Sequence, residues 1–247
     1  MGNCDDNHRL GKDCDNSSAM PSEVATNIAN VRERIRQACV ASGRRESEVL
    51  LLAVSKTQGP AAIRAAAVAG VGDIGENYCQ EALAKIAALG DLALTWHFIG
   101  PLQSNKSRTV AEHFAWVHSV DRLKIAERLS QQRPSHLLPL NICVQVNIDG
   151  EATKAGVEPA ALPALLESIM PLPHLQVRGL MAIPESTQPQ HSFARLRALF
   201  EQQRRRWPQL DTLSMGMSGD LETAIAEGAT IVRVGTDIFG ARRATER

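Results

Sequence analysis

The stretch VLLLAVSKTQGP, residues 49–60, begins as an uninterrupted apolar run and turns polar at Ser55 and Lys56. A strand that is apolar on both faces is typical of a parallel sheet covered by helices. An open dinucleotide-binding sheet would place a glycine fingerprint directly after this first strand, and the residues after Ser55 do not supply one. The stretch therefore favours a closed barrel over an open doubly wound sheet.

Further apolar runs rich in valine, isoleucine and leucine follow, each succeeded by an amphipathic, alanine-rich stretch. The predicted strands are 49–55, 71–75, 96–100, 116–120, 140–148, 176–183, 211–215 and 231–235. Residues 22–41, which precede the first strand, carry apolar side chains at helical spacing. Eight strand–helix units in 247 residues predict an α/β protein built as a single (β/α)8 TIM barrel.

The domain organisation follows from where the composition changes. Residues 1–20 are polar, low in aliphatic side chains and without a signal-peptide core, so we predict a disordered extension there. No linker rich in proline or glycine divides the remainder, and residues 21–247 are predicted to form one barrel domain. The chain has 27 basic and 27 acidic residues and no run of 18 apolar ones, so neither nucleic acid nor a membrane is a predicted partner.

The cysteines indicate a reducing compartment. There are five of them, an odd number, and none is spaced as CxxC. This pattern fits free thiols better than a disulfide framework or a zinc site. The sequence therefore predicts a cytoplasmic protein without a metal site.

Polar and glycine residues collect at the predicted carboxyl ends of the strands, where a barrel carries its site. Lys56 is the first of them, and an unpaired ammonium in a buried strand costs several kcal/mol, of the order of 2–7 for a polar group and more for a charge. Either Lys56 emerges into solvent as the strand ends, or its amine is held there because it is needed. The motif GENY, residues 75–78, and the segment 97–106 lie at the next two strand ends.

The last two strand ends resemble a phosphate cradle. The segment after the seventh strand passes through Gly216 and Gly219 into a helix, whose exposed N–H groups and dipole favour an anion. The residues predicted to bind phosphate are Ser214, Ser218, Gly235 and Thr236. Arg233, an always-protonated donor inside an apolar strand, should face a specific partner. The alternative is that Ser218 caps a helix and Arg233 forms a structural ion pair, with Asp220 and Glu222 using the same dipole.

A lysine on the first strand and a phosphate cradle from the last two suggest a phosphorylated carbonyl compound as ligand. The amine would condense with the aldehyde, and the phosphate would anchor the other end. Desolvation and a nearby cation such as Arg233 would lower the pKa of Lys56 and so make its amine reactive. Pyridoxal 5′-phosphate (PLP) fits this demand, and an arginine facing its ring nitrogen would weaken it as an electron sink.

Six motifs closely resemble the YggS/PROSC-type pyridoxal phosphate homeostasis proteins. They are AVSKT, GENYCQEALAKI, WHFIGPLQSNK, RGLMAIP, SMGMSGDLETAIAEG and VRVGTDIFGAR, and the resemblance spans roughly residues 22–243. It implies a barrel similar to the N-terminal domain of alanine racemase, the type III fold of PLP proteins. It also implies a Schiff base on Lys56, Asn77 beside the cofactor, Arg233 near the ring nitrogen, and phosphate held by Ser214, Ser218, Gly235 and Thr236.

The resemblance implies storage and delivery of the cofactor to PLP-dependent apo-enzymes, with no catalytic residue. A small barrel without an obvious sticky surface is expected to be a monomer. An amino-acid racemase is the first alternative, but two-base racemisation needs a second acid/base. The sole tyrosine, Tyr78, would have to supply it, since we expect no room for an added β-domain before Arg247. A Schiff-base aldolase acting on a sugar phosphate is the second alternative.

For several rim residues the sequence allows two roles. His97 either contacts the site or is a hydrogen-bonded core histidine. Gln103, Asn105 and Lys106 either bind ligand or cap the next helix. Lys154, on the loop after the fifth strand, is either a second amine for the cofactor or a solvated lysine.

Overall fold

The computed structural model describes residues 21–151, 153–184 and 188–240. Over these residues, eight parallel strands close into one barrel in chain order, with the first strand paired to the last. The strands are β1 Leu50–Val54, β2 Asp73–Glu76, β3 Thr95–Phe98, β4 Trp116–Val120, β5 Leu140–Gln145, β6 Leu175–Met181, β7 Thr212–Ser214 and β8 Ile231–Val234. The predicted extension, residues 1–20, lies outside the described residues.

A helix follows each strand, and a further helix precedes β1. The helices of the described residues are α1 Pro21–Ala41, α2 Pro60–Val68, α3 Cys79–Ala88, α4 Ser107–His113, α5 Leu123–Gln132, α6 Leu162–Ile169, α7 Pro189–Arg204, α8 Leu221–Ala226 and α9 Thr236–Phe239. Short 3-10 turns lie at Glu46–Glu48 and Ser104–Lys106. The predicted (β/α)8 barrel is confirmed.

Helix α1 covers the seam where the barrel closes. Its buried face, which includes Val24, Ile28, Val31 and Ile35, packs against α2 on one side and against α8 and α9 on the other. Each of these side chains is almost fully buried, and burial of one such side chain stabilises the fold by about 1.5–3 kcal/mol. The helix thereby joins the first unit of the barrel to the last two.

Seven of the eight predicted strands are longer than the observed ones, and two of them show the local reasons. Residues 71 and 72 precede β2, because the Val71 N–H donates to the Ala66 carbonyl and so continues the end of α2. After Gln145, the chain leaves β5 and makes a single bridge between Val146 and Val157. Apolar character alone does not mark these strand ends.

In the part of the chain that the structure describes, no helix has the length and the apolar character that crossing a bilayer requires.

Candidate functional site

A cavity of about 240 Å³ opens at the carboxyl end of the barrel. Six of the seven predicted site residues line it: Lys56, Asn77, Ser218, Arg233, Gly235 and Thr236. They come from the ends of β1, β2 and β8 and from the turn after β7. Apolar side chains, among them Ile99, Ile183 and Phe239, complete the wall. Residues separated by about 180 positions in the chain therefore meet in one pocket.

Lys56 lies in a short segment that its neighbours hold tightly. It is half-buried and follows β1 after Ser55, which is fully buried. The next residue, Thr57, has a φ of 66°, a conformation that costs a β-branched residue about 1–2 kcal/mol. Its N–H donates to Glu81 Oε1 at 2.6 Å. The structure thus stabilises a strained backbone directly beside the lysine.

A buried ionic cluster supports this segment from below. Lys85 Nζ donates to Glu76 Oε1 at 2.6 Å, to Glu81 Oε1 at 2.5 Å and to the Ser55 carbonyl at 2.7 Å. Burial raises the pKa of Glu76, whereas the hydrogen bonds from Lys85 and Ser55 oppose that rise. The sequence analysis did not assign Lys85 or Glu76. A lysine six residues into a helix gives no sign in the sequence that it is buried.

The turns that precede α8 and α9 form the opposite wall of the cavity. Within the described residues, the backbone N–H groups of Ser218, Gly219, Gly235 and Thr236 donate to no protein acceptor. Such clustered N–H groups make an anion-binding concavity. Helices α8 and α9 have only six and four residues, so local N–H groups rather than a long helix dipole would hold an anion here.

Arg34 of α1 engages the acidic residues around these turns. It donates to Glu222 at 2.6 Å, to Asp237 at 2.5 Å and to the Ser218 carbonyl at 2.8 Å. The hydrogen bond from Arg34 lowers the pKa of Glu222. The third acidic residue, Asp220, accepts from the Met217 N–H at 2.6 Å. These carboxylates are therefore bonded to protein donors: Arg34 for Glu222 and Asp237, and the Met217 N–H for Asp220.

Arg233 is buried beneath the cavity and also lines it. Its Nη1 donates to the Ser214 carbonyl at 2.6 Å and to Ser214 Oγ at 2.9 Å, and its Nη2 donates to the Ala182 carbonyl at 3.0 Å. No carboxylate of the described residues forms an ion pair with it, so the alternative of a structural ion pair is wrong. Burial lowers the pKa of Arg233 to about 10, which still leaves it protonated at neutral pH.

Ser214 lies below the other predicted phosphate residues. It is the last residue of β7 and fully buried, and its hydroxyl contacts Arg233 and the His118 imidazole, which lies 2.8 Å away. The hydroxyl of Ser218, by contrast, lies at the cavity and accepts a long 3.4 Å hydrogen bond from the Asp237 N–H of α9. The two serines thus occupy different levels of the barrel.

Asn77 is shared between this cavity and a neighbouring one of about 330 Å³. Its Oδ1 is buried and, within the described residues, accepts no hydrogen bond. Tyr78, Gln103 and Lys106 line the neighbouring cavity, and Tyr78 is 58% exposed. An acceptor without a donor beside Lys56 is a feature that a bound ligand would satisfy.

The remaining rim residues lie in different environments, none of them in the lining of the 240 Å³ cavity. His97 is a buried core histidine, bonded to His118 and Asp73. Lys154 contacts the Glu151 carboxylate and donates to the Pro184 carbonyl at 3.1 Å, away from the cavity lining. Asn105 is exposed in the turn before α4.

Comparison with known proteins gives close relatives over nearly the whole chain. The profile of the alanine racemase N-terminal domain matches residues 24–243. The pyridoxal phosphate homeostasis protein of Pseudomonas aeruginosa is 62% identical over 225 residues, which cover 90% of this chain and 96% of the relative. Its counterpart in Escherichia coli K12 is 50% identical over 228 residues, 90% of this chain and 97% of the relative.

Solved structures agree with this grouping. PipY of Synechococcus elongatus, solved without PLP, superposes with a TM-score of 0.78 at 42% identity, covering 88% of this chain and all of PipY. PipY with PLP bound superposes with a TM-score of 0.76 at 41% identity. Alanine racemase of Corynebacterium glutamicum has a TM-score of 0.68 at 14% identity, which shows the shared fold alone. The chain therefore belongs to the alanine racemase N-terminal domain family, within the group of the pyridoxal phosphate homeostasis proteins.

Proposed function

We propose that this protein binds PLP in the cavity at the carboxyl end of the barrel and acts in vitamin B6 homeostasis by storing and delivering the cofactor. One observation carries the proposal: Lys56 lines the same cavity as two turns whose N–H groups donate to no acceptor of the described residues. PipY, a relative of the same fold, is described with PLP bound. When bound, the cofactor supplies an aldehyde that forms a Schiff base with a lysine amine.

Each cavity residue has a separate part in this proposal. Lys56 supplies the amine, and the N–H groups of residues 218, 219, 235 and 236 hold the phosphate together with the hydroxyls of Ser218 and Thr236. Arg233 presents a protonated guanidinium toward the ring, and Asn77 offers its unsatisfied Oδ1 to a donor of the ligand. Ser214 acts through Arg233, to which it is bonded.

A carrier role, without robust catalysis, is supported by what faces the cavity. Among the described residues that line it, Lys56 and Arg233 are the ionisable ones. A protonated arginine is a poor general base, and Tyr78 lines the neighbouring cavity instead. Racemisation would need a second acid/base on the other face of the substrate. We therefore propose a cytoplasmic monomer whose partners are PLP and PLP-dependent apo-enzymes; buried free thiols at Cys39, Cys79 and Cys143 support the reducing compartment.

The first test is covalent trapping of the cofactor. We expect the protein to show visible absorbance with PLP, to lose it on borohydride reduction, and to yield a modified peptide that contains Lys56. Lys56→Ala should lose the covalent bond and keep weakened binding through the phosphate residues. Lys154→Ala, a second lysine at the same end of the barrel, is the matched control and should behave as the wild type. A label on another lysine would refute the assignment.

Delivery requires its own assay. The loaded protein should reactivate a PLP-dependent apo-enzyme in the presence of a scavenger of free PLP, and racemase assays with amino acids should give no turnover above background. Reactivation that stops completely when the scavenger is added would favour simple storage over transfer.

A further inference from the structure

A continuous line of hydrogen bonds crosses the interior of the barrel below the cavity. It joins Arg233 to Ser214 (2.9 Å), Ser214 to His118 (2.8 Å), His118 to His97 (3.0 Å) and His97 to Asp73 (3.0 Å). The middle three side chains are fully buried, and none of them lines the cavity. Asp73 is the first residue of β2, at the amino end of the barrel, and its side chain is 27% exposed. The line therefore runs from the cavity to the opposite end of the barrel.

The chemistry of the groups fixes the direction of every proton in this line. A carboxylate only accepts, so His97 donates to Asp73 from Nε2, and the neutral ring then accepts at Nδ1. His118 must donate to that atom from its own Nε2, which leaves its Nδ1 to accept from the Ser214 hydroxyl. The Ser214 oxygen in turn accepts from Arg233 Nη1. Each group donates to the next, from the guanidinium to the carboxylate.

Burial and packing keep both imidazoles in these neutral forms. Burial lowers the pKa of His97 and, more strongly, that of His118, while Asp73 acts on His97 in the opposite direction. Arg233 also lowers the pKa of His118, because a second positive charge in the barrel interior is unfavourable. The Trp116 ring stacks on His97 with a centroid distance of 5.4 Å, and Arg178 lies over the Trp116 ring at 4.9 Å. The rings therefore have little freedom to reorient.

Arg233 is a buried cation that contacts carbonyl and hydroxyl oxygens and is paired with no carboxylate of the described residues. An uncompensated buried charge is costly, and hydrogen bonds arranged in series polarise one another. We propose that Asp73, His97, His118 and Ser214 are positioning residues for Arg233, which orient its N–H groups at the cavity and link its charge to a carboxylate at the far end of the barrel. For the effect on bound PLP, this inference rests on the proposed function.

The first experiment needs no cofactor. In the full-length protein, nitrogen-15 NMR of the imidazoles should show His97 and His118 each protonated at Nε2 and unprotonated at Nδ1 at neutral pH. An imidazolium, or a ring protonated at Nδ1, at either histidine would overturn the directed chain. Because the measurement uses the protein alone, its outcome does not depend on whether PLP binds.

The second experiment interrupts the line of hydrogen bonds at Asp73, its far end, and at Ser214, the residue next to Arg233. Asp73→Asn removes the charge at a partly exposed position far from the cavity, and Ser214→Ala removes the hydroxyl next to Arg233. Matched controls are Asp91→Asn, an exposed partner of Arg64, and Ser130→Ala, a buried hydroxyl bonded to the Pro173 carbonyl. Circular dichroism confirms that each variant is folded before it is compared.

We expect Asp73→Asn and Ser214→Ala to shift the His118 resonances and to alter the visible spectrum of bound PLP. Both should also raise the Kd for PLP by about three- to tenfold. The two controls should change none of these. The proposal is overturned if Asp73→Asn matches Asp91→Asn in the His118 resonances and in the cofactor spectrum. Failure of the wild type to bind PLP would refute the proposed function. In that case the histidine resonances of Asp73→Asn and Ser214→Ala still decide whether the line of hydrogen bonds acts as inferred.

Discussion

Gly216 is the residue on which the turn after β7 depends. Its φ is 92°, and a Cβ added there would lie 2.5 Å from the Ala224 Cβ in α8. Both the left-handed backbone and the close approach require glycine. The turn that follows carries the N–H groups of Ser218 and Gly219, so their direction depends on this one conformation.

We expect Gly216→Ala to lower the free energy of unfolding by about 2–4 kcal/mol, from backbone strain and overpacking together. PLP affinity should fall with it, because the turn that is proposed to bind the phosphate moves. Gly59→Ala is the control, since its φ is ordinary, an added Cβ meets nothing within 4 Å, and Gly59 does not line the cavity. Denaturant unfolding and a PLP titration measure both effects, and equal behaviour of the two variants would contradict this account.

The buried pair of Lys85 and Glu76 supports the segment that carries Lys56. Lys85→Met would leave the Glu76 carboxylate buried without a cation, and we expect a loss of about 3–5 kcal/mol in the free energy of unfolding. The loss should grow with pH, because the pKa of Glu76 is already raised and protonation relieves the unpaired charge. The double variant Lys85→Met with Glu76→Gln should recover part of the stability. Strictly additive losses in a denaturant series would show that the two residues are not coupled.

Lys56 and Asn77 were predicted at the cavity because each follows an apolar strand, and Arg233 was predicted there because a charged donor inside an apolar strand needs a specific partner; all three line the cavity. It did not indicate Arg34, Lys85 or His118, since their contacts depend on distant parts of the chain. Arg34 meets a residue 203 positions away, and His118 meets one 96 positions away. Such pairs exist only once the barrel has closed, and a charged or imidazole side chain within a helix or strand pattern gives no sign of them.

Helix α1 lies outside the eight repeated units and contributes to the candidate site through Arg34. Glu222 of α8 and Asp237 of α9 lie near the turns that would bind phosphate, and Arg34 offsets both charges. An anion approaching these turns therefore meets carboxylates that are already neutralised. The extra helix links closure of the barrel to the electrostatics of the cavity.

Arg34→Met should weaken PLP binding by about five- to tenfold, which corresponds to about 1–1.4 kcal/mol, because two carboxylates lose their counterion beside the phosphate. Inorganic phosphate should also compete less effectively in the same titration. Arg36→Met is the matched control, since Arg36 pairs with Glu33 within α1 itself. A loss of equal size in both variants would indicate a general effect on the helix rather than on the site.

The strands and helices were predictable as elements, but their ends were not. Apolar residues mark the strands because both faces of a barrel strand are covered, although β3 carries Trp96 and Phe98 rather than valine, isoleucine or leucine. The ends depend on which N–H finds which carbonyl, as Val71 shows by continuing α2 instead of starting β2. The polar line inside the barrel was missed for a related reason: isolated histidines and serines in apolar strands do not reveal that they face one another.

On the scale of the whole molecule, the interior histidines make stability depend on pH. Their pKa values lie below the ordinary 6.5 because burial disfavours the charged ring. Below about pH 6.5 the unfolded chain therefore binds more protons than the folded one, and stability falls as the pH falls. Glu76 acts in the opposite direction, since its pKa is raised and the folded state takes up its proton more readily. Asp73 and Arg233 are the charged groups bonded into this line, and Asp73 partly restores the pKa of His97.

We expect the free energy of unfolding to decrease as the pH falls from about 7.5 to about 5.5, because the unfolded chain protonates these two imidazoles more readily than the folded one. In His118→Gln the slope of this decrease should be smaller, because one of the two buried imidazoles is removed. His191→Gln, at an exposed position on α7, should leave the slope unchanged. Denaturant unfolding across this pH range measures all three proteins, and a slope in His118→Gln equal to that of the wild type would contradict a neutral, buried His118.

The pairing of β1 with β8 has a consequence for biosynthesis. Lys56 leaves the ribosome early, whereas the turns before α8 and α9 and the strand that carries Arg233 are among the last described parts to emerge. The pocket therefore does not exist during most of translation, and a nascent chain exposes its lysine without the groups that would retain a phosphorylated aldehyde. Under the proposed function, the pocket can hold the cofactor only after the ring has closed, and a ligand bound there would then connect the first strand to the last.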